Sequence, residues 1–416
     1  MKFMDTETKL QLLSADMHLE PAEETPLTGH AAFAQTAGAQ PSSNPNTTGP
    51  CGHSPAEWQT LTREQKRATP IHLAAMPGGK RLPMLKTMLT TACERDCFYC
   101  PFRAGRNMRR ASFKPAEMAK TFAELNRNGM AQGLFLSSGI LKGGISTQDK
   151  LIDSIDILRN QHHFRGYVHL KIMPGSEKDQ VFRAMQLADR ISVNLEAANE
   201  KRLPFLAPHK IFFDELLAPL KWAEEIRRTQ PSHKGWNGKW PSLVTQFVVG
   251  AAGETDLELL TTTAYLYQHL RLARAYYSAF SPIPNTPLEN HAPENPWREH
   301  RLYQSSFLLR DYGFDLEELP FTQQGNLPLD VDPKSAWAAA NLSETPIEIN
   351  RADRRALLRV PGIGPKTADA ILVARRTGTL RDLRDLTALG APGIAKRAAP
   401  FVLLDGKRPA QQLSLL

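Results

Sequence analysis

Cysteine is scarce in this sequence: four residues in 416, far too few for a disulfide framework in a chain of this length. Long apolar runs are missing as well. No stretch approaches the length needed to cross a bilayer, so no membrane partner is expected. The opening Met1-Lys2-Phe3-Met4-Asp5-Thr6-Glu7 lacks the apolar centre of a secretory signal, and the expected location is cytoplasmic. From Pro21 to about Pro50 there is no apolar period, only Ala, Thr, Pro, Gly and Ser in excess, which predicts a disordered or loosely wrapped segment.

What is present fits a globular chain of two domains plus tails, with 41% hydrophobic residues. The net charge is +8, and its location matters more than its size. From Pro346 to Leu416 there are three Lys and ten Arg against six Asp and Glu, 13 − 6 = +7. A local basic excess of this kind points to a polyanionic partner; a solvated charged face is the plainer alternative.

Three of the four cysteines fall within eight positions, in Cys93-Glu94-Arg95-Asp96-Cys97-Phe98-Tyr99-Cys100. Thiolates hold iron–sulfur clusters, and three suffice for a [4Fe–4S] cubane whose fourth iron keeps an open position. The alternative is a structural zinc site, which needs a fourth ligand such as Cys51 or His53. The preceding Met84 to Thr90 alternates apolar and polar residues, which predicts a half-buried strand. The cysteine loop is then expected at the C-terminal end of that strand, where barrel active sites lie.

From residue 84 to about 312, strand-like and helix-like runs alternate, the pattern of repeated βα units around a parallel sheet. Strands are predicted at 84–90, 133–137, 167–173, 190–195, 243–249 and 275–280. Helices are predicted near 115–128, 149–161, 178–187, 212–229, 255–270 and 296–312, with shorter ones over 5–15 and 57–67. An insertion, Ser232 to Trp240, precedes the fifth strand and is expected to face the active site or a partner.

The cysteine spacing, with an aromatic before the last cysteine, resembles the signature of the radical S-adenosylmethionine (SAM) superfamily. That resemblance implies an α/β fold, a partial (β/α)6 radical SAM barrel. Its cofactors would be a [4Fe–4S] cluster on Cys93, Cys97 and Cys100, and SAM on the open iron. Reductive cleavage of SAM would give a 5′-deoxyadenosyl radical, with an electron donor as a partner. Cofactor contacts are expected from Tyr99, from Ser137, Ser138 and Gly139 after the second strand, and from Gly250 after the fifth. Ser192, Asn194 and Glu196 are expected on one side of an extended chain after the fourth strand, able to hydrogen-bond a ribose or a carboxylate. A satisfied polar cluster at the barrel mouth is the alternative there.

Leu357 to Ile371 reads as an apolar helix, a tight turn with Gly362, Ile363 and Gly364, and a helix opening at Pro365. This resembles a helix–hairpin–helix, and a degenerate second copy follows at Asp385 to Lys396. Backbone N–H groups of such a turn can hold a phosphate oxygen, with Lys366 adding charge. DNA contacts are expected from Gly362, Ile363, Gly364, Lys366, Thr367 and Lys396; a protein-docking module is the alternative. The expected division is an N-terminal extension over 1–55, the barrel over 56–320, a linker over 321–345, a small all-α tandem helix–hairpin–helix domain over 346–404 and a flexible tail over 405–416.

Taken together, the two parts resemble DNA modification/repair radical SAM proteins with a helix–hairpin–helix tail, a group discussed alongside a uracil-DNA-glycosylase-like partner. The implied activity is radical chemistry on DNA, with largely sequence-independent binding. A tRNA-modifying methylthiotransferase needs a second cysteine triad, and only Cys51 remains. A non-catalytic iron–sulfur scaffold that binds DNA is the other alternative. Cys51 is a candidate hydrogen-atom donor to a substrate radical. The final Gln412-Leu413-Ser414-Leu415-Leu416 resembles the bacterial sliding-clamp-binding pentapeptide, with Gln412, Leu413, Leu415 and Leu416 as the docking residues.

Overall fold

The computed structural model describes residues 5–15, 17, 71–75, 81–390 and 393–409. Cys51, His53, the expected helix at 57–67, the Pro21 to Pro50 segment and the pentapeptide at 412–416 lie outside the described residues. Among the described residues two compact units form: Met1–Glu254 with Gln268–Glu294, and Thr255–Tyr267 with Asn295–Leu416. No described helix is long and apolar enough to cross a membrane.

The first unit is built on one seven-stranded sheet in chain order, β1 (Ile71–Ala75), β2 (Arg81–Met88), β3 (Gly133–Ser137), β4 (Tyr167–Lys171), β5 (Arg190–Ser192), β6 (Ser242–Val249) and β7 (Arg274–Ala279). β2 to β7 pair in parallel, each with its neighbour, while β1 runs antiparallel to β2 with Ile71 opposite Leu85. This is a partial (β/α)6 barrel with one added edge strand. The crossovers are α2 (Pro115–Arg127), α3 (Gly143–Asn160), α4 (Lys178–Leu187) and α5 (Ala218–Thr229); α6 (Asp256–Leu270) follows β6 in the chain and falls mostly in the second unit, and α1 (Thr6–Ser14) lies at the start of the chain. Helix starts are set locally. Glu117 accepts from the Lys114 N–H and Gln180 from the Glu177 N–H, relieving amides that a first turn leaves unpaired.

Two expectations change here. Met84 to Met88 is buried at every position, Lys86 and Thr87 included, so β2 is not half-buried. A central parallel strand is covered on both faces, and side-chain alternation there does not mean one wet face. The insertion at 232–240 does not lie at the cysteine-bearing strand ends. It precedes β6 and packs where strands begin: the Arg159 guanidinium, at the end of α3, stacks 3.7 Å over the Trp236 ring, and Trp240 meets Phe182 of α4. Arg159 is held by the carbonyls of Leu187, Phe164 and Gly166 and by Asp189, so aromatic cover completes its burial.

The second unit contains α7 (Pro296–Asp311), α8 (Pro333–Leu342), α9 (Arg354–Arg359), α10 (Pro365–Ala374), α11 (Leu383–Leu389) and α12 (Ile394–Ala398), with a short parallel pair β8 (Ile347–Glu348) and β9 (Val402–Leu403). Its core gathers Ala338, Leu342, Ile349, Leu357, Val360, Ile363, Ile371, Leu386, Ile394 and Val402. Residues 321–345, read from composition as a linker, therefore contain a helix that helps form this core. Asp332 caps it by accepting from the Ser335 N–H, with Pro333 at the first helical position.

Candidate active site and nucleic-acid interface

The cysteine loop leaves the C-terminal end of β2 and is tied to the loops that leave β3 and β5. Leu89 N–H donates to Ser137 O at 2.8 Å, Gly139 N–H to Thr90 O at 2.7 Å, and Glu94 N–H to Ile140 O at 2.8 Å. On the other side, Phe98 N–H donates to Leu206 O at 2.7 Å, and Arg95 reaches His209 O and the Glu215 carboxylate. The three thiols are therefore carried by a loop with fixed partners on both flanks.

Gly139 is fixed by close approach. A Cβ there would lie 2.3 Å from Ala92 O and 3.1 Å from Cys93 Cβ, so the loop after β3 lies against the cysteine loop only because that residue has no side chain. Ser137 is buried, its carbonyl used by Leu89, and the Ser138 hydroxyl donates to Gly139 O at 2.7 Å. These two serines thus have internal partners.

Two backbone amides and one ammonium face the thiols. Ile140 N–H points at Cys93 Sγ and Phe102 N–H at Cys100 Sγ, each at 3.4 Å. Burial pushes the Cys97 thiol up, opposed by the adjacent Lys210 ammonium, and burial also pushes Cys100 up. Such sulfurs become thiolates when a metal supplies the counter-charge. Among the described residues no three His, Cys, Asp or Glu groups close around a single ion. A cubane holds each cysteine on a separate iron, farther apart than the ligands of one zinc. The donor set fits a cluster held by Cys93, Cys97 and Cys100, with amides directed at two of the sulfurs.

Lys210, for which no sequence motif gave a signal, is the main addition to the site. Its Nζ lies 2.8 Å from Glu196 Oε1. Burial works against the Glu196 carboxylate, but Lys210 and Lys171 outweigh it and hold the group below the usual carboxylate range. The Tyr99 phenol lies beside Glu196; burial, with that carboxylate nearby, keeps the phenol protonated. Tyr99 and Glu196 therefore do meet, next to Cys97 and Cys100.

The row Ser192, Asn194, Glu196 is corrected. β5 stops at Ser192, and Glu196 has a left-handed φ of 64°, so the chain is not extended through all three. The ladder resumes as a single bridge, with Glu196 N–H donating to Gln246 O and Val248 N–H to Glu196 O. Asn194 Nδ2 donates to Gln246 Oε1 at 3.3 Å. Ser192 Oγ and Glu196 Oε2 are buried and, among the described residues, have no hydrogen-bond partner. Gly250, at φ 97°, donates its N–H to Glu254 at 2.6 Å, and a Cβ there would lie 2.2 Å from Glu294 Oε2. The close approach at Gly250 is by that carboxylate.

In the second unit the hairpin between α9 and α10 turns at Gly362 (φ 86°), and Gly364 is the N-cap of α10. The first-turn amides of α10 have no partner within the helix, and Lys366 is exposed beside them. Ile363 and Thr367 are buried, so of these two residues only backbone could face a phosphate. Gly362 packs against α12: a Cβ would lie 3.3 Å from Arg397 Cβ and from Ile394 O. Lys396 is exposed on that helix. Lys334 Nζ donates to Ile363 O at 2.6 Å and lies 4.6 Å over the Tyr312 ring. Burial, opposed by Asp332 and reinforced by Arg397 and Arg359, pulls this ammonium down to about 7.

A helix–hairpin–helix family model matches residues 345–374. No curated protein matches the chain. Among solved structures it is similar to the FeFe-hydrogenase maturase HydG from Carboxydothermus hydrogenoformans, at TM-score 0.42 and 14% identity over 55% of this chain and 51% of that one. It is also similar to methylornithine synthase PylB, at 0.43 and 12% over 55% and 61%, and to coproporphyrinogen III oxidase HemN from Escherichia coli, at 0.36 and 14% over 54% and 52%. The last of these is a radical SAM enzyme. The chain spans about half to three-fifths of the length of each.

Proposed function

We propose that this chain is a radical SAM enzyme acting on nucleic acid, in DNA repair or modification. The observation that carries the reading is the convergence at the end of β2: three thiols, two amides directed at sulfur, and the Tyr99–Glu196–Lys210 group, in one chain with a helix–hairpin–helix. When bound, a [4Fe–4S] cluster and SAM supply a 5′-deoxyadenosyl radical that abstracts hydrogen. Cys93, Cys97 and Cys100 would hold the cluster, and Lys210 offsets negative charge at Cys97. Lys210 orients Glu196, whose second oxygen, with Ser192 Oγ, offers acceptors to a polar ligand.

In the other unit, hairpin amides and Lys366 grip phosphate without reading sequence. A base within a duplex is shielded by stacking, so the substrate is single-stranded or is flipped out. The cluster requires an electron donor. Recruitment to a sliding clamp through 412–416, a uracil-DNA-glycosylase-like partner, hydrogen return by Cys51 and a cytoplasmic location belong to the same proposal.

The test is anaerobic reconstitution, reduction and measurement of 5′-deoxyadenosine, with no nucleic acid, single-stranded DNA, duplex DNA or RNA present. Cleavage stimulated by DNA is expected. Stimulation by RNA alone would move the substrate class, and no cleavage under any condition would leave a non-catalytic scaffold.

A further inference from the structure

The segment following the cysteine motif, Pro101 to Lys114, carries Arg103, Arg106, Arg109, Arg110 and Lys114 and no acidic residue. Every hydrogen bond its guanidinium groups make among the described residues ends on an uncharged acceptor. Arg110 donates to the carbonyls of Thr91 at 2.5 Å, Phe102 at 2.7 Å, Arg103 at 2.8 Å and Arg106 at 3.2 Å. Arg106 donates to Pro284 O at 3.1 Å and Pro101 O at 2.9 Å. Arg103 donates to the Asp96 carbonyl, while the Asp96 carboxylate is taken by His209 Nδ1 at 2.9 Å. Arg109 is exposed and, among the described residues, forms no ion pair or hydrogen bond.

Carbonyl partners fix a guanidinium in place without cancelling its charge; a carboxylate would do both. Apart from Arg103, which the Asp96 carboxylate partly offsets, the loop thus presents positive charge without a counter-charge among the described residues, on side chains that are largely ordered already, which lowers the ordering cost of binding an anion. Arg106, Asn107, Met108 and Arg110 line a recess of about 390 Å³ beside Cys93, with Glu94 and Leu141 opposite. The acid in that lining, Glu94, is turned towards the N–H groups of Lys142 and Gly143, each at 3.0 Å, which orients its carboxylate without cancelling its charge.

We propose that this loop is a second nucleic-acid contact, in which Arg106 at the recess beside Cys93 and the exposed Arg109 hold backbone phosphates of the substrate strand, while Arg110, its terminal donors spent on carbonyls, adds charge and fixes the loop. The proposal rests on the nucleic-acid reading above and names a contact on the barrel itself. The competing partner is an acidic electron-carrying protein. The recess favours nucleic acid, since a protruding phosphate can enter it and meet forked guanidinium donors, whereas protein docking surfaces draw on broad, packed contact.

The experiment titrates the full-length chain with a labelled single-stranded oligonucleotide by fluorescence anisotropy over a salt series. It compares wild type with Arg109→Glu, Lys366→Glu and the double variant. Arg109 has no partner to lose among the described residues, so an unchanged unfolding midpoint is the folding control. Arg109→Glu is expected to weaken binding roughly fivefold or more at low salt and to reduce the salt slope by about 1. Its effect should multiply with that of Lys366→Glu.

Wild-type affinity and slope in Arg109→Glu, with loss in Lys366→Glu, would overturn the proposal and leave the nucleic-acid reading standing. Absence of binding by wild type would remove both. If Arg109→Glu instead slows reduction by an acidic one-electron carrier and leaves oligonucleotide binding intact, the loop belongs to that partner and the proposal fails.

Discussion

Lys210 Nζ lies 2.8 Å from Glu196 Oε1, and both side chains are less than one-tenth exposed. A buried pair is costly to break from one side, because the remaining charge loses its nearest counter-charge where water cannot replace it; at Glu196 only Lys171 would remain to offset the loss. Lys210→Met is expected to destabilise the barrel by about 3–5 kcal/mol. Adding Glu196→Gln should restore part of that loss. Denaturant unfolding of the two variants checks this; equal stability of the single and double variants would show the pair to be uncoupled.

Gly139→Ala places a methyl 2.3 Å from the Ala92 carbonyl. The backbone must move, and the cysteine loop moves with it. The expected result is a reconstituted protein with much reduced charge-transfer absorption, while DNA binding through the helix–hairpin–helix is retained. Cys97→Ala should abolish the absorption. A full cluster spectrum in either variant would contradict the site.

Lys334 gives a pH signature. Its folded-state value is about 7 against an ordinary 10.5, so between those values the unfolded chain binds more protons than the folded one. Stability should therefore rise as pH goes from about 7 towards 10, by a few kcal/mol at most, and the full penalty is present below pH 7. Lys334→Met should flatten this rise and be at least as stable as wild type at pH 7. The Tyr312 face and the Ile363 carbonyl temper the effect, and equilibrium unfolding across pH measures it.

At the hairpin, Lys366→Glu is the informative change. It should weaken DNA binding severalfold and lower the salt slope by about 1 without altering the fold. Gly364→Asp is a poor test. A Cβ at Gly364 would lie 3.2 Å from the Tyr312 hydroxyl, so packing and phosphate binding would change together.

Most of the barrel was legible because each parallel strand is a short apolar run followed by a helix with its own start signal. Gly133–Ser137 and Lys178–Leu187 coincide with the expected bounds. β1 was not legible: Ile71 to Ala75 is five residues without alternation, and it becomes a strand by pairing with β2. α8 is hidden within the expected linker over 321–345, because a proline signals a break, yet after the capping Asp332 the proline at 333 opens a helix.

In the site, the cysteine triad and Gly139 announce themselves by spacing and residue type. Lys210 does not, since a lone lysine fourteen positions from Glu196 has no pattern. The left-handed turn at Glu196 was hidden too, because glutamate carries no preference for that conformation. Ile363 and Thr367 show the converse: the motif identified them, but burial assigns their side chains to the core.

The sheet of the first unit runs from β1 to β7 without joining its ends among the described residues. A closed ring of strands would admit only what passes through its rim. An open one has a seam between its edge strands. Under the proposed nucleic-acid function, a polymer entering at that seam would not need threading from an end, and interior positions of a long strand would meet the thiol-bearing loop laterally, with chain continuing on both sides.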